Sequence, residues 1–490
     1  MPIDIIQSKY CGLVKNLRSG LLFIGGNTSF YTHQFATGTA YLIGNIHNRD
    51  FLTSLAGHFE GQAYAMNNAT CLYLLQERFG DAALALAEGD FCFIIESQDG
   101  FLTIITDPHG FRPIYRVDNG GIWITDRLKF VGAVKGEDAF DFYPADAVCR
   151  DNHYPDSYLP IHNARRLKPG TLNYLTYDTQ DYACCESRIM VAPASNEPLK
   201  LARDPLLALI DCYLNTPLAS LGPRYGTAGI PLSGGLDSSL ITALAKRHFH
   251  RIKTYSIGTG YSNEFEFSQQ VADTLKTEHR VHILSGQEVI RGIAEAIYHN
   301  EIFDGLSAEI QSGLFNVYRL AQHEVKCMLT GYGSDILFGG ILQPGKHYEQ
   351  PNRLLAAQVY RTRWTGEFSS GGARHYGLEI YHPFWRTNLI TLCHALDPHF
   401  KIRDNEVKVI LREYADQLHS LPPEIVWRRK IGIHEGSSLN RAFANMLGSE
   451  IGDYRAKTRA AYAMYRTFLT GNLTVDDMTP ARVAALFKGV

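Results

Sequence analysis

The sequence predicts an α/β protein in two parts. The first is a layered, β-rich half with helices outside two sheets (αββα), and the second is a doubly wound parallel sheet ending in a helical tail. Three observations carry this reading. Short β-rich runs separated by turn residues fill roughly the first 190 positions. Strand-like and helix-like stretches alternate after about residue 225. Between them the composition shifts to Pro, Ser, Asn and Ala in "VAPASNEPLKLARDP" (191–205), which puts the domain boundary there, as 1–195 and 196–490.

In the first half the runs are "GLLFIGG", "GTAYLIGNI", "FCFIIES", "FLTIITD", "GIWITD" and "GTLNYLTYD". Asp99-Gly100 and Asn119-Gly120-Gly121 separate pairs of them, which is a hairpin signal. Several runs are apolar at nearly every position, so they suit strands covered on both faces. In the second half "AGIPL" leads into the loop "PLSGGLDSSL" (231–240) and then the helix-like "SSLITALAKRHF". A strand "KTYSIGT" follows, then a helix from "NEFEFSQQVADTL", where Asn263 and Glu266 suggest a capping box. "RVHIL", the helix "EVIRGIAEAIYH" and the strand "VKCMLT" continue the alternation, and the last hundred residues read as helical.

Bulk composition excludes several classes. A chain of 490 residues with 45% hydrophobic and 20% charged residues is that of a soluble globular protein. A formal charge of −3 gives no nucleic-acid or membrane footprint. Nine scattered cysteines, with no C-x-x-C pair, read as reduced thiols in a cytosol. No apolar run has the length of a membrane span, and the first residues lack the apolar core of a signal peptide.

The loop Ser233-Gly234-Gly235-Leu236-Asp237-Ser238-Ser239 falls where a doubly wound sheet places its ligand, at the carboxyl end of a strand. Glycines let backbone N–H groups turn toward an anion, serine hydroxyls add donors, and the next helix adds its positive end. That is a phosphate cradle, although it lacks the G-K-[ST] of a Walker loop. Asp237 would repel phosphate directly, so its place is on a Mg²⁺ that bridges phosphate oxygens. His248, His250, His279 and His282 do not make a zinc site, because no Cys, His or carboxylate cluster completes the set.

This loop resembles that of the N-type ATP pyrophosphatases, which adenylate a substrate with ATP. A second segment, "LTGYGSDILFGG" (329–340), resembles the G-E-G-S-D-E-x-F-G-G of class B asparagine synthetases. There the aspartate is a second Mg²⁺ ligand, matched by Asp335, and Gly333 is expected beside the phosphates. "AEGDFCFIIESQDGFLTIITDPHGFRPIY" (87–115) and "RRLKPGTL" (165–172) are similar to that family's glutaminase domain, an Ntn-hydrolase fold. Three departures matter. The nucleophilic cysteine after the initiator Met is replaced by Pro2, and Cys11 has no terminal amine to serve as base. Ala56-Gly57 stands where the family's Asn-Gly oxyanion donor is read. Tyr332 replaces the first glutamate of the second segment.

Tyr332, with "RWTGEF" around Glu367 and "RRKIGIHEGSS" around Lys430, resembles the β-lactam-forming branch, its carbapenam-forming members most of all. The resemblance implies ATP and Mg²⁺, with Asp237 and Asp335 as metal ligands. It implies a carboxymethylproline-like β-amino acid as substrate. The products would be carbapenam-3-carboxylate, AMP and diphosphate. It assigns Tyr332 and Glu367 as a base that deprotonates the ring amine, and Lys430 as the cation for the oxyanion and α-phosphate. Lys408, in "NEVKVILREY", matches a lysine that meets phosphates. Ser256, Ile257 and Gly258 at the end of "TYSIGT" are expected along the adenine, and "IFDGLSAEIQSG" (302–313) over the acyl site. A cytoplasmic homo-oligomer, dimer or tetramer, is also implied. Open alternatives are a clavam-type synthetase on carboxyethylarginine, an ammonia-dependent asparagine synthetase, and a non-catalytic binding protein on the same scaffold.

Overall fold

The computed structural model describes residues 12–16, 22–25, 29–60, 66–150, 159–175, 184–188, 198–429, 431–471 and 473–488. Its contacts divide the chain into two units. One holds residues 1–191 with 363–370 and 465–474, and the other holds 192–362, 371–464 and 475–490.

In the first unit the described strands are β1 (Gly12–Asn16), β2 (Leu22–Gly25), β3 (Phe30–Phe35), β4 (Gly38–Ile46), β5 (Gly89–Ser97), β6 (Leu102–Thr106), β7 (Tyr115–Asp118), β8 (Ile122–Thr125), β9 (Ala164–Arg166), β10 (Thr171–Leu175) and β11 (Cys184–Arg188). They form a five-stranded sheet ordered β2-β1-β8-β7-β9 and a six-stranded sheet ordered β11-β10-β6-β5-β4-β3. All pairings within them are antiparallel. The period of two along β5 explains the layering. Phe91 and Phe93 pack with Leu52 and Ala56 of α1 (Arg49–Glu60) and with Leu72 and Leu75 of α2 (Asn68–Phe79). Cys92 and Ile94 point the other way, onto Ile122 and Ile124 of β8. The central strands are therefore apolar on both faces, as their sequence requires. Both turn signals are hairpins. Ser97 N donates to Phe101 O at 2.9 Å around Asp99-Gly100, and Asn119 N donates to Gly121 O at 3.0 Å between β7 and β8.

The second unit is built on a parallel sheet of β12 (Thr227–Pro231), β13 (Arg251–Thr259), β14 (Glu278–Leu284), β15 (Cys327–Leu329) and β16 (Glu379–Tyr381). Its order is β14-β13-β12-β15-β16. From β12 the chain builds outward through β13 and β14, then returns to build the other edge with β15 and β16. The order reverses between β12 and β15, so a crevice opens beyond their carboxyl ends. The crossovers are helical: α3 (Leu236–Ala245), α4 (Phe265–Leu275), and the pair α5 (Gly286–Asn300) and α6 (Gly305–Ala321). α5 opens on a full capping box, in which Ser285 Oγ accepts from Glu288 N and the Glu288 carboxylate accepts from Ser285 N. The tail is helical over Leu439–Leu447, Tyr454–Leu469 and Pro480–Lys488. Among the described residues no helix is long and apolar enough to cross a membrane.

Candidate functional site at the strand crossover

The loop after β12 starts when Leu232 N donates to Tyr255 O at 2.8 Å. Gly234 then takes φ +71°, and a Cβ there would stand 2.6 Å from the backbone of Phe267 and Ser268. Only glycine fits that approach. Ser233 N donates to Ser238 Oγ at 3.2 Å, and Gly235 N donates to Ser233 Oγ at 3.3 Å. These contacts wind the loop around the start of α3, with Asp237 in its first turn.

The loop after β15 runs Thr330-Gly331-Tyr332-Gly333 into the short helix α7 (Ser334–Phe338). A Cβ on Gly331 would lie 2.7 Å from Asp237 C and 2.7 Å from Ser238 N, so the two loops touch backbone to backbone. Gly333, at φ +96°, turns the chain into α7, and Asp335 sits in the first turn.

A third element closes the site. Lys408, 1% exposed, holds a left-handed conformation (φ 59°) just before α8 (Val409–Gln417). Its Nζ lies 2.6 Å from each carboxylate oxygen of Asp237, 2.6 Å from Asp335 Oδ1 and 3.2 Å from Ser334 Oγ. Two carboxylates from different strand ends thus converge on one cationic point. That donor set suits a divalent ion as well: two carboxylates, with remaining positions left to phosphate oxygens and water, are how Mg²⁺ is usually held. The burial of Lys408 rules out a solvated helix face for it.

Two adjoining cavities meet at Ser233 and Glu264. One encloses about 370 Å³ and is lined by Asp237, Lys408, Arg412, Arg428 and Arg429 among others, a cationic wall around the glycine loop. Burial lowers the Arg412 pKa from its ordinary value, with Glu406 and Asp237 opposing. Its guanidinium is held by the carbonyls of Val407, Val426 and Arg428. Arg428 pairs with Glu264, donates to Gly234 O at 3.3 Å, and lies 3.6 Å over the Phe267 ring. The other cavity encloses about 330 Å³ and is lined by Ser256, Ile257, Phe265, Val317, Ile433 and Ser437 among others. Ser256 Oγ donates to Leu232 O, which ties β13 to the glycine loop. A Cβ on Gly258 would lie 2.4 Å from Asn263 Cβ, so in this structure that glycine makes room for its own turn.

The remaining predicted residues are distributed differently. Tyr332 is half-buried in the second unit. Its N donates to Thr330 Oγ1 at 3.4 Å, and its ring centroid is 6.4 Å from that of His382. Glu367 belongs to the first unit, in the strap 363–370. That strap is held by Arg166 Nη1 donating to Trp364 O at 2.6 Å and by Ser370 N donating to Phe111 O at 3.1 Å. Lys430, Pro2 and Cys11 lie outside the described residues.

One sequence expectation needs correction. α4 begins after Glu264 with no side-chain cap, because Glu264 is taken by Arg428 and Asn263 Oδ1 accepts from Phe265 N instead. Arg428 is largely buried and paired. Ala56 and Gly57, read as lacking the family's Asn-Gly oxyanion donor, fall inside α1, where backbone N–H groups serve the helix ladder. The histidines have ordinary partners: His248 with Asn215, His279 with Thr254, and His282 with Glu288.

The family model described as "Asparagine synthase" matches residues 226–371 and 372–474, about half of the chain and all of the crevice. The chain belongs to the asparagine synthase family. The model described as "Carbapenam-3-carboxylate synthase, N-terminal" matches residues 13–190. Carboxyethyl-arginine beta-lactam-synthase of Streptomyces clavuligerus is 28% identical over 420 residues, 84% of this chain and 76% of that protein. A probable asparagine synthetase of Dictyostelium discoideum is 26% identical, covering 74% of this chain and 66% of its own. Asparagine synthetase 2 of Oryza sativa subsp. japonica is 30% identical, covering 42% and 39%. The chain therefore spans about two thirds or less of these two asparagine synthetases. Among solved structures, an NMN synthetase from Francisella tularensis aligns at 12% identity over 54% of this chain and 94% of that one, with a TM-score of 0.27, too slight to bear on the fold. Within its family the chain lies on the β-lactam synthetase branch, and it is an ATP-dependent ligase that forms a C–N bond.

Proposed function

We propose that this ligase adenylates the side-chain carboxylate of carboxymethylproline and closes it on the ring amine, giving carbapenam-3-carboxylate, AMP and diphosphate. The match of residues 13–190 to the carbapenam-type N-terminal model supports this reading. The convergence of Asp237 and Asp335 on Lys408 supports the adenylation chemistry.

A carboxylate is a poor acyl donor until its oxygen attacks the α-phosphorus of ATP and diphosphate leaves. In this reading Ser233, Gly234, Gly235 and Ser238 bind the departing phosphates through backbone and hydroxyl donors, with Gly333 beside them. Lys408, Arg412 and Arg428 supply fixed positive charge around them. Asp237 and Asp335 would hold Mg²⁺, which supplies charge neutralisation at the phosphate oxygens. Ser256, Ile257 and Gly258 border the space for the base. The ring amine then attacks the activated carbonyl and AMP leaves. Holding both ends of one molecule together replaces an encounter, an effect worth up to about 7–11 kcal/mol in well-oriented systems. Tyr332 and Glu367 would take the amine proton, and Lys430 would meet the oxyanion. These three roles rest on the resemblance.

The first domain, 1–195, is proposed as an Ntn-type scaffold without glutaminase activity, since Pro2 offers no thiol, and 196–490 as the synthetase domain. The second reading, a clavam-type synthetase acting on carboxyethylarginine, is favoured by the Streptomyces relative. The deciding experiment supplies Mg-ATP with carboxymethylproline, carboxyethylarginine, aspartate plus ammonia, or aspartate plus glutamine. Diphosphate release and bicyclic product with carboxymethylproline alone is the expected outcome. Turnover of carboxyethylarginine alone would move the assignment to the second reading, and asparagine formation would overturn both.

A further inference from the structure

One stripe of α6 has two ends. Residues 309, 313 and 317 recur at i, i+4 and i+8, so they share a face. Val317 lines the smaller cavity. A Cβ on Gly313 would stand 3.6 Å from Ile257 Cδ1 and 3.6 Å from Ile433 Cδ1, both cavity residues. Glu309, one turn earlier, is wholly buried and ion-paired to Lys457, which is also wholly buried. Lys457 Nζ further donates to Ile451 O at 2.7 Å and lies 4.9 Å over the Tyr454 ring. Among the described residues the second oxygen, Glu309 Oε1, has no hydrogen-bond partner, and His434 Nε2 stands 3.9 Å from it.

His434 belongs to the short turn Ile433–Gly436, whose Ile433, with the next residue Ser437, walls the same cavity. Just ahead of that turn the chain carries Arg428 and Arg429 to the phosphate side. An apolar seam would hold α6 in place equally well, and a buried ion pair is a costly substitute for one. What the pair adds is a fixed point: Lys457 anchors Glu309, and the remaining oxygen faces the imidazole.

We propose that Glu309, Lys457 and His434 are positioning residues that fix the turn 433–437, and the arginines before it, against bound nucleotide. The inference rests on the reading of the cavities as the ATP site. Burial raises the Glu309 pKa to about 7, with the Lys457 ammonium opposing and the Glu435 charge adding to the rise. The carboxylate is therefore held against a real desolvation cost.

The test is equilibrium binding of α,β-methylene ATP with Mg²⁺, measured alongside the melting temperature. The variants are His434→Gln, Glu309→Gln and the double variant Glu309→Gln/Lys457→Met. Glu309→Gln strands a buried ammonium and lowers the melting temperature, and the double variant regains much of it. Binding should weaken about tenfold in His434→Gln without loss of melting temperature, and should stay weak in the double variant, a change of about 1.4 kcal/mol. Affinity that recovers together with melting temperature in the double variant, with His434→Gln at wild-type affinity, would reduce the trio to a structural pair and overturn the inference. Asp237→Asn separates the two readings. If it binds the analogue like wild type, the ATP reading falls and takes the inference with it. If it loses binding while the other variants bind normally, only the inference falls.

Discussion

Lys408 reaches Asp335 with Nζ 2.6 Å from Oδ1, and the same ammonium reaches both oxygens of Asp237. One buried charge thus ties together the loop after β12, the loop after β15 and the start of α8. Each carboxylate alone would repel the other across the crevice, and the lysine offsets that repulsion. A divalent ion brought in with phosphates could do the same.

This gives a first prediction. Lys408→Met leaves two facing carboxylates without their cation, so in metal-free buffer stability should fall by about 3–5 kcal/mol, the usual cost of breaking a buried pair from one side. Millimolar Mg²⁺ should restore part of the loss in the variant and do little for wild type. Melting curves with EDTA and with Mg²⁺ read it directly. A variant indifferent to Mg²⁺ would remove the two aspartates from a shared metal site.

Gly331 supplies the second. Its missing Cβ is where the backbone of Asp237 and Ser238 passes, 2.7 Å away on each atom. Backbone cannot yield as a flexible side chain can, so Gly331→Ala must push the two loops apart. Overpacking of this kind costs about 1–3 kcal/mol, and diphosphate release should drop at least about tenfold, since 1.4 kcal/mol in a barrier is a factor of ten. Gly286→Ala is the control, because its Cβ would meet Met446 at an ordinary 3.5 Å. Equal activity in the two variants would show that loop spacing does not matter.

Much of this architecture is legible in the sequence, for reasons that can be named. The hairpins follow from Asp99-Gly100 and Asn119-Gly120-Gly121, since glycine takes the positive φ that each turn needs. The parallel sheet follows from runs such as "KTYSIGT", buried along most of β13. The glycine loop and Asp335 stand out because few structural needs combine glycines, serines and a carboxylate at a strand end. Other parts are hidden. Arg428 and Arg412 look like surface charges, because nothing local announces that Glu264 and three carbonyls wait for them from distant segments. Lys408 sits in an amphipathic stretch that suits a solvated face equally well. Gly331 matters for the space it leaves, and a sequence lists residues, not the backbone that passes beside them. Glu367 is legible only through the resemblance, and its strap is held by side chains such as Arg166, from some two hundred positions earlier.

A pH prediction comes from the cap of α5. Burial raises the Glu288 pKa, but hydrogen bonds from Ser285 N and Oγ and from His282 outweigh it and bring the value down to about 2. A carboxylate depressed in the folded state contributes stability that is present above its unfolded pKa and lost as pH falls through the folded one. The stability difference between wild type and Glu288→Gln should therefore be full above pH about 4.5 and shrink as pH falls toward about 2. Because the side chain is about one third exposed, solvent screening keeps the effect small, on the order of the 1 kcal/mol of an ordinary cap. Denaturant titrations of both proteins across that range check it. A difference that does not vary with pH would assign the stabilisation to shape alone.

The last prediction separates the two half-reactions. If Tyr332 and Glu367 serve only to remove the amine proton, their loss should leave adenylation intact and block ring closure. Tyr332→Phe removes a hydroxyl and keeps the ring, so packing changes little. Glu367→Gln keeps the shape and removes the charge. Each should lower bicyclic product by about 100-fold or more, the typical worth of a positioned base. The double variant should fall little further, because either change already disables the pair. Lys430→Ala differs, since a cation that serves both the α-phosphate and the oxyanion is needed in both steps. Hydroxylamine traps the acyl-adenylate as a hydroxamate while product is measured in parallel. Tyr332→Phe and Glu367→Gln should give hydroxamate with little product, and Lys430→Ala should give neither. Product at the wild-type rate from Tyr332→Phe would mean that the proton leaves by water or phosphate, and the pair would lose its role. Loss of hydroxamate in Glu367→Gln would instead show that this carboxylate already matters before the carboxylate of the substrate is activated.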